Sequence, residues 1–135
     1  MMRRRLLVID DEPQFAAIVR KVAEEIGYEV SVARDAGAFK ASYAAAPPEV
    51  AVLDIVMPGV DGIELMRWLI GQGCRSDVVL VTGYDPSYAK AAKDMAEAWS
   101  AMRVRILEKP MRLAALRAAI AGAHPAGHKA DFTQS

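Results

Sequence analysis

Four short apolar runs in the chain each lead into residues able to do chemistry. Leu6-Leu7-Val8-Ile9 meets Asp10-Asp11-Glu12, Val50-Ala51-Val52-Leu53 meets Asp54, Val78-Val79-Leu80-Val81 meets Thr82, and Val104 to Leu107 meets Glu108-Lys109-Pro110. In an open parallel sheet, ligands sit outside the carboxyl ends of the strands. If these runs are such strands, one rim receives carboxylates, a hydroxyl and an ammonium. Carboxylates crowded into one crevice raise one another's pKa unless a cation neutralises them. Mg2+ suits the purpose: it takes about six oxygens, keeps several waters, and is commonly held by one or two carboxylates plus a phosphate oxygen. Asp11 and Asp54 are the candidate direct ligands, with Asp10 acting through water. With that charge neutralised, Asp54 is a candidate nucleophile toward phosphorus, since carboxylates form aspartyl phosphates. Lys109 would then pair with the phosphoryl group and Thr82 would hydrogen-bond it.

Each of these residues has a plainer use on its own. Asp10 or Asp11 could cap the following helix, Asp54 and Thr82 could be turn residues that end a strand, and Lys109 could be a solvated surface amine. Their joint placement at successive strand ends is what points to a site.

The elements that must position them alternate regularly. Strands are expected at Arg5–Ile9, Glu29–Ala33, Val50–Leu53, Val78–Val81 and Val104–Leu107, each followed by a stretch of helical period. That alternation predicts an α/β domain with a parallel sheet. The first helix, with Pro13 in its first turn and Gly27 at its end, carries Phe15, Ile18, Val19, Val22 and Ile26 on one face. The second starts near Asp35, turns Phe39 and Tyr43 inward, and stops at Pro47-Pro48. A loop over 55–62 precedes a third helix that buries Ile63, Met66, Leu69 and Ile70 and finishes at Gly71 and Gly73. The fourth, from Pro86 to Met102, spaces Tyr88, Ala91, Ala92, Met95, Trp99 and Met102 as a core stripe, with Trp99 also a candidate for an interaction face. The last uses Leu113, Leu116 and Ile120. The period then fades, and residues 124–135 read as a flexible tail or linker after a domain spanning 1–123.

Composition narrows the function. With 135 residues and 53% hydrophobic content the chain suits one folded domain. Its 17 Lys+Arg balance 17 Asp+Glu, so no summed field draws it to nucleic acid or an anionic membrane. The apolar run after Met1-Met2-Arg3-Arg4-Arg5 stops at Asp10, too short for an export signal, and no run reaches the ~18 apolar residues of a membrane span. A cytoplasmic protein is expected. The single cysteine, Cys74, has no CxxC partner and reads as a loop thiol. His124 and His128 are denied a shared helical face by Pro125 and Gly127, so no metal pair is expected.

Over Arg4 to Ala123 the sequence resembles the receiver domain of two-component response regulators. The motifs that carry the resemblance are Val8-Ile9-Asp10-Asp11-Glu12-Pro13, Leu53-Asp54-Ile55-Val56-Met57-Pro58-Gly59-Val60-Asp61-Gly62, Thr82-Gly83 and Glu108-Lys109-Pro110. It implies a flavodoxin-like, doubly wound, five-stranded parallel sheet of order 2-1-3-4-5 with five helices. It also implies that Asp54 accepts a phosphoryl group from a sensor histidine kinase or histidine phosphotransfer protein. Asp10, Asp11 and Asp54 would form the Mg2+ site, completed by the backbone carbonyl of Val56, and Thr82 and Lys109 would contact the phosphoryl group. The Lys109–Pro110 bond is expected to be cis.

The chain departs from that pattern at Ile106, where many receivers carry Tyr or Phe three residues before the lysine. The usual threonine-aromatic switch, and dimerisation through the fourth and fifth strands and their helices, are therefore not carried over. Tyr84 is the candidate substitute. Val56 and Tyr84 beside the phosphoryl site would hinder an attacking water, so a long-lived phosphoryl state is expected. The stretch from Thr82 to Lys109 is longer than in compact receivers. With its Thr-Gly-Tyr start it is similar to receivers that precede cyclic-di-GMP phosphodiesterase domains, which implies an effector domain, fused or separate.

Three other classes fit these residues less well than a signalling module does. A haloacid-dehalogenase-like phosphatase also uses Mg2+ and an aspartate nucleophile, but carries it in DxD after the first strand, where this chain has adjacent Asp10 and Asp11 followed by Glu12. A nucleotide-binding protein would show GxGxxG or GxxxxGK[ST], and neither is present. A phosphorylation-silent interaction domain would not need the complete acidic, threonine and lysine set. The module is not expected to be a turnover enzyme.

Overall fold

The computed structural model describes residues 4–57, 60–83, 86–99 and 102–122. Within them the strands are β1 (Arg4–Ile9), β2 (Tyr28–Ala33), β3 (Val50–Asp54), β4 (Val56–Met57), β5 (Val60–Asp61), β6 (Asp77–Thr82) and β7 (Arg103–Glu108). The helices are α1 (Pro13–Ile26), α2 (Ala36–Ala45), α3 (Gly62–Gly71), α4 (Pro86–Trp99) and α5 (Leu113–Gly122). Five strands form one sheet in the order β2-β1-β3-β6-β7, all parallel. Counted within that sheet the order is 2-1-3-4-5, the flavodoxin-like arrangement the resemblance implies. The stretch expected as a loop over 55–62 contains a small antiparallel hairpin, β4 pairing Val56 with Asp61 and Met57 with Val60 of β5.

Successive residues of a strand face opposite sides of a sheet, and here that alternation divides one apolar run between two cores. Leu6, Val8, Val50, Val52, Val79 and Val81 pack with Val19, Val22, Leu116 and Ile120 of α1 and α5. Leu7, Ile9, Ala51, Leu53, Val78 and Leu80 pack with Phe39, Tyr43, Met66 and Leu69 and with the α4 alanines. Strands covered on both faces need no polar alternation, which is why these runs are apolar throughout.

Several sequence expectations change in the folded chain. Ile18, placed on the inner face of α1, is 42% exposed, and Leu113 of α5 is 58% exposed. Leu65 is buried in α3, whereas Ile63 and Ile70 are only half-buried. The core-facing stripe of α4 is Ala89, Ala92 and Ala96, with Ala91 exposed and Met95 half-buried. Met102 is buried but lies beyond the helix. Cys74 follows α3 in a loop as expected, yet it is buried, and its Sγ accepts the Ser76 N–H. The Tyr88 and Trp99 side chains, Tyr84, His124, His128 and the tail at 124–135 lie outside what the structure describes.

The N-cap of α1 is Glu12 rather than Asp10 or Asp11, and it makes no side-chain capping bond. Asp10 bonds two residues ahead instead: its Oδ1 accepts the Glu12 N–H at 2.8 Å, an Asx-type turn. Pro13 occupies the first turn, and Gly27 ends α1 with φ 116, a left-handed conformation that suits glycine. At Gly62 an added Cβ would stand 2.9 Å from Ile55 Cγ2 and 3.2 Å from Ile55 Cα. The start of α3 therefore closes directly on the residue after Asp54.

Candidate functional site

Parallel register brings the strand ends to one edge. Ile9 pairs with Leu53, Asp54 with Val81, and Thr82 with Glu108, so Asp10, Asp54, Thr82 and Lys109 follow one another along the sheet's carboxyl rim. Two backbone bonds fix the corner: Ile55 N–H donates to the Val81 carbonyl at 2.9 Å, and Lys109 N–H donates to the Thr82 carbonyl at 2.8 Å. The Lys109–Pro110 peptide is cis.

One carboxylate oxygen from each of Asp10, Asp11 and Asp54 lies within 4.8 Å of the others. Asp10 and Asp54 are buried while Asp11 is exposed. Three oxygens at that separation have the spacing of a divalent-cation site with an opening to solvent. Asp10 Oδ2 is buried and has no hydrogen-bond partner. Burial pushes the Asp10 carboxyl up to about 6, the Glu12 N–H opposes that rise, the Asp54 charge adds to it, and Lys109 draws it back down. A buried carboxylate with one oxygen unmet and a raised proton affinity fits a site completed by a cation. Val56 stands two residues past Asp54, on the backbone of β4.

Lys109 is the positive centre. Its Nζ donates to Asp54 Oδ2 at 3.2 Å and to Glu12 Oε1 at 2.9 Å, and lies 3.6 Å from Asp10 Oδ2. It also stands 4.4 Å from the centre of the Phe15 ring, a cation–π distance. Burial lowers the Lys109 pKa, but the Glu12 bond and the Asp54 and Asp10 charges outweigh it and leave the ammonium above its ordinary value. The Thr82 hydroxyl is buried with no hydrogen-bond partner.

Beside these groups is a groove of about 820 Å³. Phe15, Ile18, Met111, Leu113 and Leu116 supply its apolar wall, and Asp54 and Lys109 lie at its polar end. Ile18 and Leu113 are two of the three exposed large hydrophobics among the described residues. Sequence reasoning missed the use of Glu12 and Phe15 against Lys109. The first is 97 positions away, and no local pattern reports such a contact.

The sequence places the chain among known proteins. The family model for the response regulator receiver domain matches residues 6–121. The C4-dicarboxylate transport transcriptional regulatory protein DctD of Pseudomonas aeruginosa is 36% identical over 80 residues, covering 59% of this chain and 17% of that protein. The nitrogen assimilation regulatory protein NtrX of Azorhizobium caulinodans is 34% identical over 85 residues, covering 62% of this chain and 19% of that protein. Among solved structures, the receiver domain of NtrX from Brucella abortus superposes with a TM-score of 0.76 at 25% identity, covering 90% of this chain and 99% of that one. The matches thus span about a fifth of these two curated relatives.

Proposed function

Because the chain belongs to the response regulator receiver domain family, we propose that its activity is to accept one phosphoryl group on Asp54 and pass that change to a partner. The family membership makes it the receiver domain of a two-component response regulator. The roles of single residues are our reading, supported by one observation above all: the Lys109 ammonium sits on Asp54 at 3.2 Å where Asp10, Asp11 and Asp54 converge.

In the proposed transfer an Asp54 carboxylate oxygen attacks the phosphorus of a phosphohistidine. The O–P bond forms as the P–N bond breaks, and the histidine leaves as neutral imidazole with the electron pair of the broken bond, its other ring nitrogen protonated. Lys109 holds the attacked phosphoryl oxygens by charge and the Thr82 hydroxyl gives them a hydrogen bond. Asp10, Asp11 and Asp54, with the Val56 carbonyl, would hold Mg2+. When bound, that ion neutralises the charge that otherwise keeps an anionic donor away from the carboxylates. The donor would be a sensor histidine kinase or histidine phosphotransfer protein, and the apolar groove beside Asp54 supports a protein donor. The protein is then a cytoplasmic signalling module and not a turnover enzyme.

Phosphorylation is read as shifting a two-state equilibrium around α4. Ile106, half-buried on β7 opposite Leu80, stands where many receivers have an aromatic, so the shift proceeds without that ring. We assign 1–123 to the receiver domain and 124–135 to a linker toward an effector. DctD and NtrX are regulatory proteins by name, and the described domain has no basic excess with which to bind nucleic acid itself. A helix long and apolar enough to cross a membrane is absent among the described residues.

Intact-mass spectrometry after incubation with phosphoramidate tests the reading. A Mg2+-dependent gain of one phosphoryl group, abolished in Asp54→Asn, is expected. No gain under any condition would replace it with the phosphorylation-silent interaction domain. Turnover of phosphomonoesters would favour the phosphatase instead.

A further inference from the structure

We propose that Glu12 is a positioning residue that parks Lys109 in the unphosphorylated protein and releases it when Asp54 carries a phosphoryl group. The proposal rests on the phosphoacceptor reading of Asp54. The shortest contact of the Lys109 ammonium is Glu12 Oε1 at 2.9 Å, ahead of Asp54 at 3.2 Å and Asp10 at 3.6 Å.

Glu12 is placed for this by its backbone. As the N-cap of α1 it has an extended conformation, φ −95 and ψ 103, and its side chain makes no bond to the helix it precedes. Its own N–H is held by Asp10 Oδ1. A chain of contacts results: Asp10 fixes the Glu12 backbone, Glu12 fixes Lys109, and Lys109 reaches Asp54. Phe15, in the first turn of α1, puts its ring under the same ammonium. The Glu12 side chain is 60% exposed and that of Lys109 25%, so the pair stands at the mouth of the site and separates without burying a bare charge.

An ammonium has three donors. In the resting site Glu12 takes one and Asp54 another. A phosphoryl group on Asp54 brings further anionic oxygens that need the same donors, so Glu12 and the phosphoryl group compete for Lys109. Weakening Glu12 therefore frees Lys109 for the incoming group and speeds phosphorylation.

Two substitutions separate contact from charge. Glu12→Gln keeps the length and removes the charge, while Glu12→Asp keeps the charge and withdraws it by one methylene. The full chain is incubated with phosphoramidate and Mg2+, and the initial rate of phosphoryl gain is read by intact mass. The expected result is that both variants are faster than the parent by about two- to fivefold, the worth of one partly exposed ion pair. Acceleration in Glu12→Gln alone would overturn the proposal in favour of simple charge repulsion, and no change in either would also overturn it. Amine labelling of Lys109, followed by peptide mass spectrometry without any phosphodonor, gives a second measurement. It should be faster in both variants, and unchanged labelling overturns the proposal whatever the phosphorylation result. Faster labelling with no phosphoryl gain in the parent would instead strike at Asp54 as acceptor.

Discussion

Asp10 and Lys109 form an ion pair without a hydrogen bond: Asp10 Oδ2 stands 3.6 Å from the Lys109 Nζ, past hydrogen-bond length, and has no hydrogen-bond partner. Its second oxygen is committed to the Glu12 N–H. A buried carboxylate so placed is stabilised by the paired ammonium and destabilised by burial and by Asp54. Burial dominates, which is why the Asp10 carboxyl rises to about 6.

That rise has a definite sign for stability. Between the ordinary aspartate value of 3.8 and about 6, the folded protein keeps a proton that the unfolded chain has released. Stability without metal therefore falls as pH rises through that window and levels off above it. Asp10→Asn removes the effect. We expect the variant to be more stable than the parent by about 1–3 kcal/mol at pH 8 and nearly equal to it at pH 4, measured by urea unfolding with chelator present. Equal stability at both pH values would show that Asp10 is not under this tension.

Asp11 contributes differently, because it is exposed. Asp11→Asn should leave metal-free stability within about 0.5 kcal/mol of the parent. Excess Mg2+ should raise the parent's melting temperature by mass action, and that rise should be lost in the variant. A full Mg2+ response in Asp11→Asn would remove this residue from the metal site.

The Thr82 hydroxyl is buried and unpaired. Thr82→Val keeps the shape and drops the unmet polar group, so the unphosphorylated protein should be as stable as the parent or up to about 1 kcal/mol more stable. The same variant should lose phosphorylation-induced changes in amide exchange around α4. Loss of stability would mean that the hydroxyl has a structural partner and is not held for the phosphoryl group.

Ile18 and Leu113 flank the groove next to Asp54. Changing both to Ser should slow phosphotransfer from a protein donor by about tenfold or more, as for two contacts worth at least about 1 kcal/mol each, while leaving the rate with phosphoramidate unchanged. Equal slowing with both donors would mean that the substitutions disturb the site and not its docking.

The contrast between these residues shows what was legible in the sequence. Asp10, Asp54, Thr82 and Lys109 could be read because a strand that ends in an ionisable or hydroxyl residue announces its position on the rim, and parallel register does the rest. Ile18 and Leu113 could not. Helical period marks an apolar face, but it does not separate residues under the sheet from residues at the edge of the stripe that face a groove. In α4 Ala92 could be read as inward, but Ala89 and Ala96 beside it could not, because alanine carries little hydropathic contrast and the larger Met95, only half-buried, stands out more in the period. In the sequence Glu12 is simply the third member of an acidic cluster. Its grip on Lys109 joins the start of α1 to the residue that follows β7, 97 positions away, which is a tertiary fact.

Which carboxylate receives the phosphoryl group can be read by borohydride reduction. The reagent reduces an acyl phosphate to an alcohol and leaves free carboxylates alone, so peptide mass spectrometry after phosphoramidate and Mg2+ treatment reads the acceptor position. With Asp54 as the acceptor, the reduced side chain is expected at position 54 and at no other carboxylate. Reduction at Asp10 or Asp11, or no reduced peptide from a protein that has gained phosphoryl mass, would contradict it.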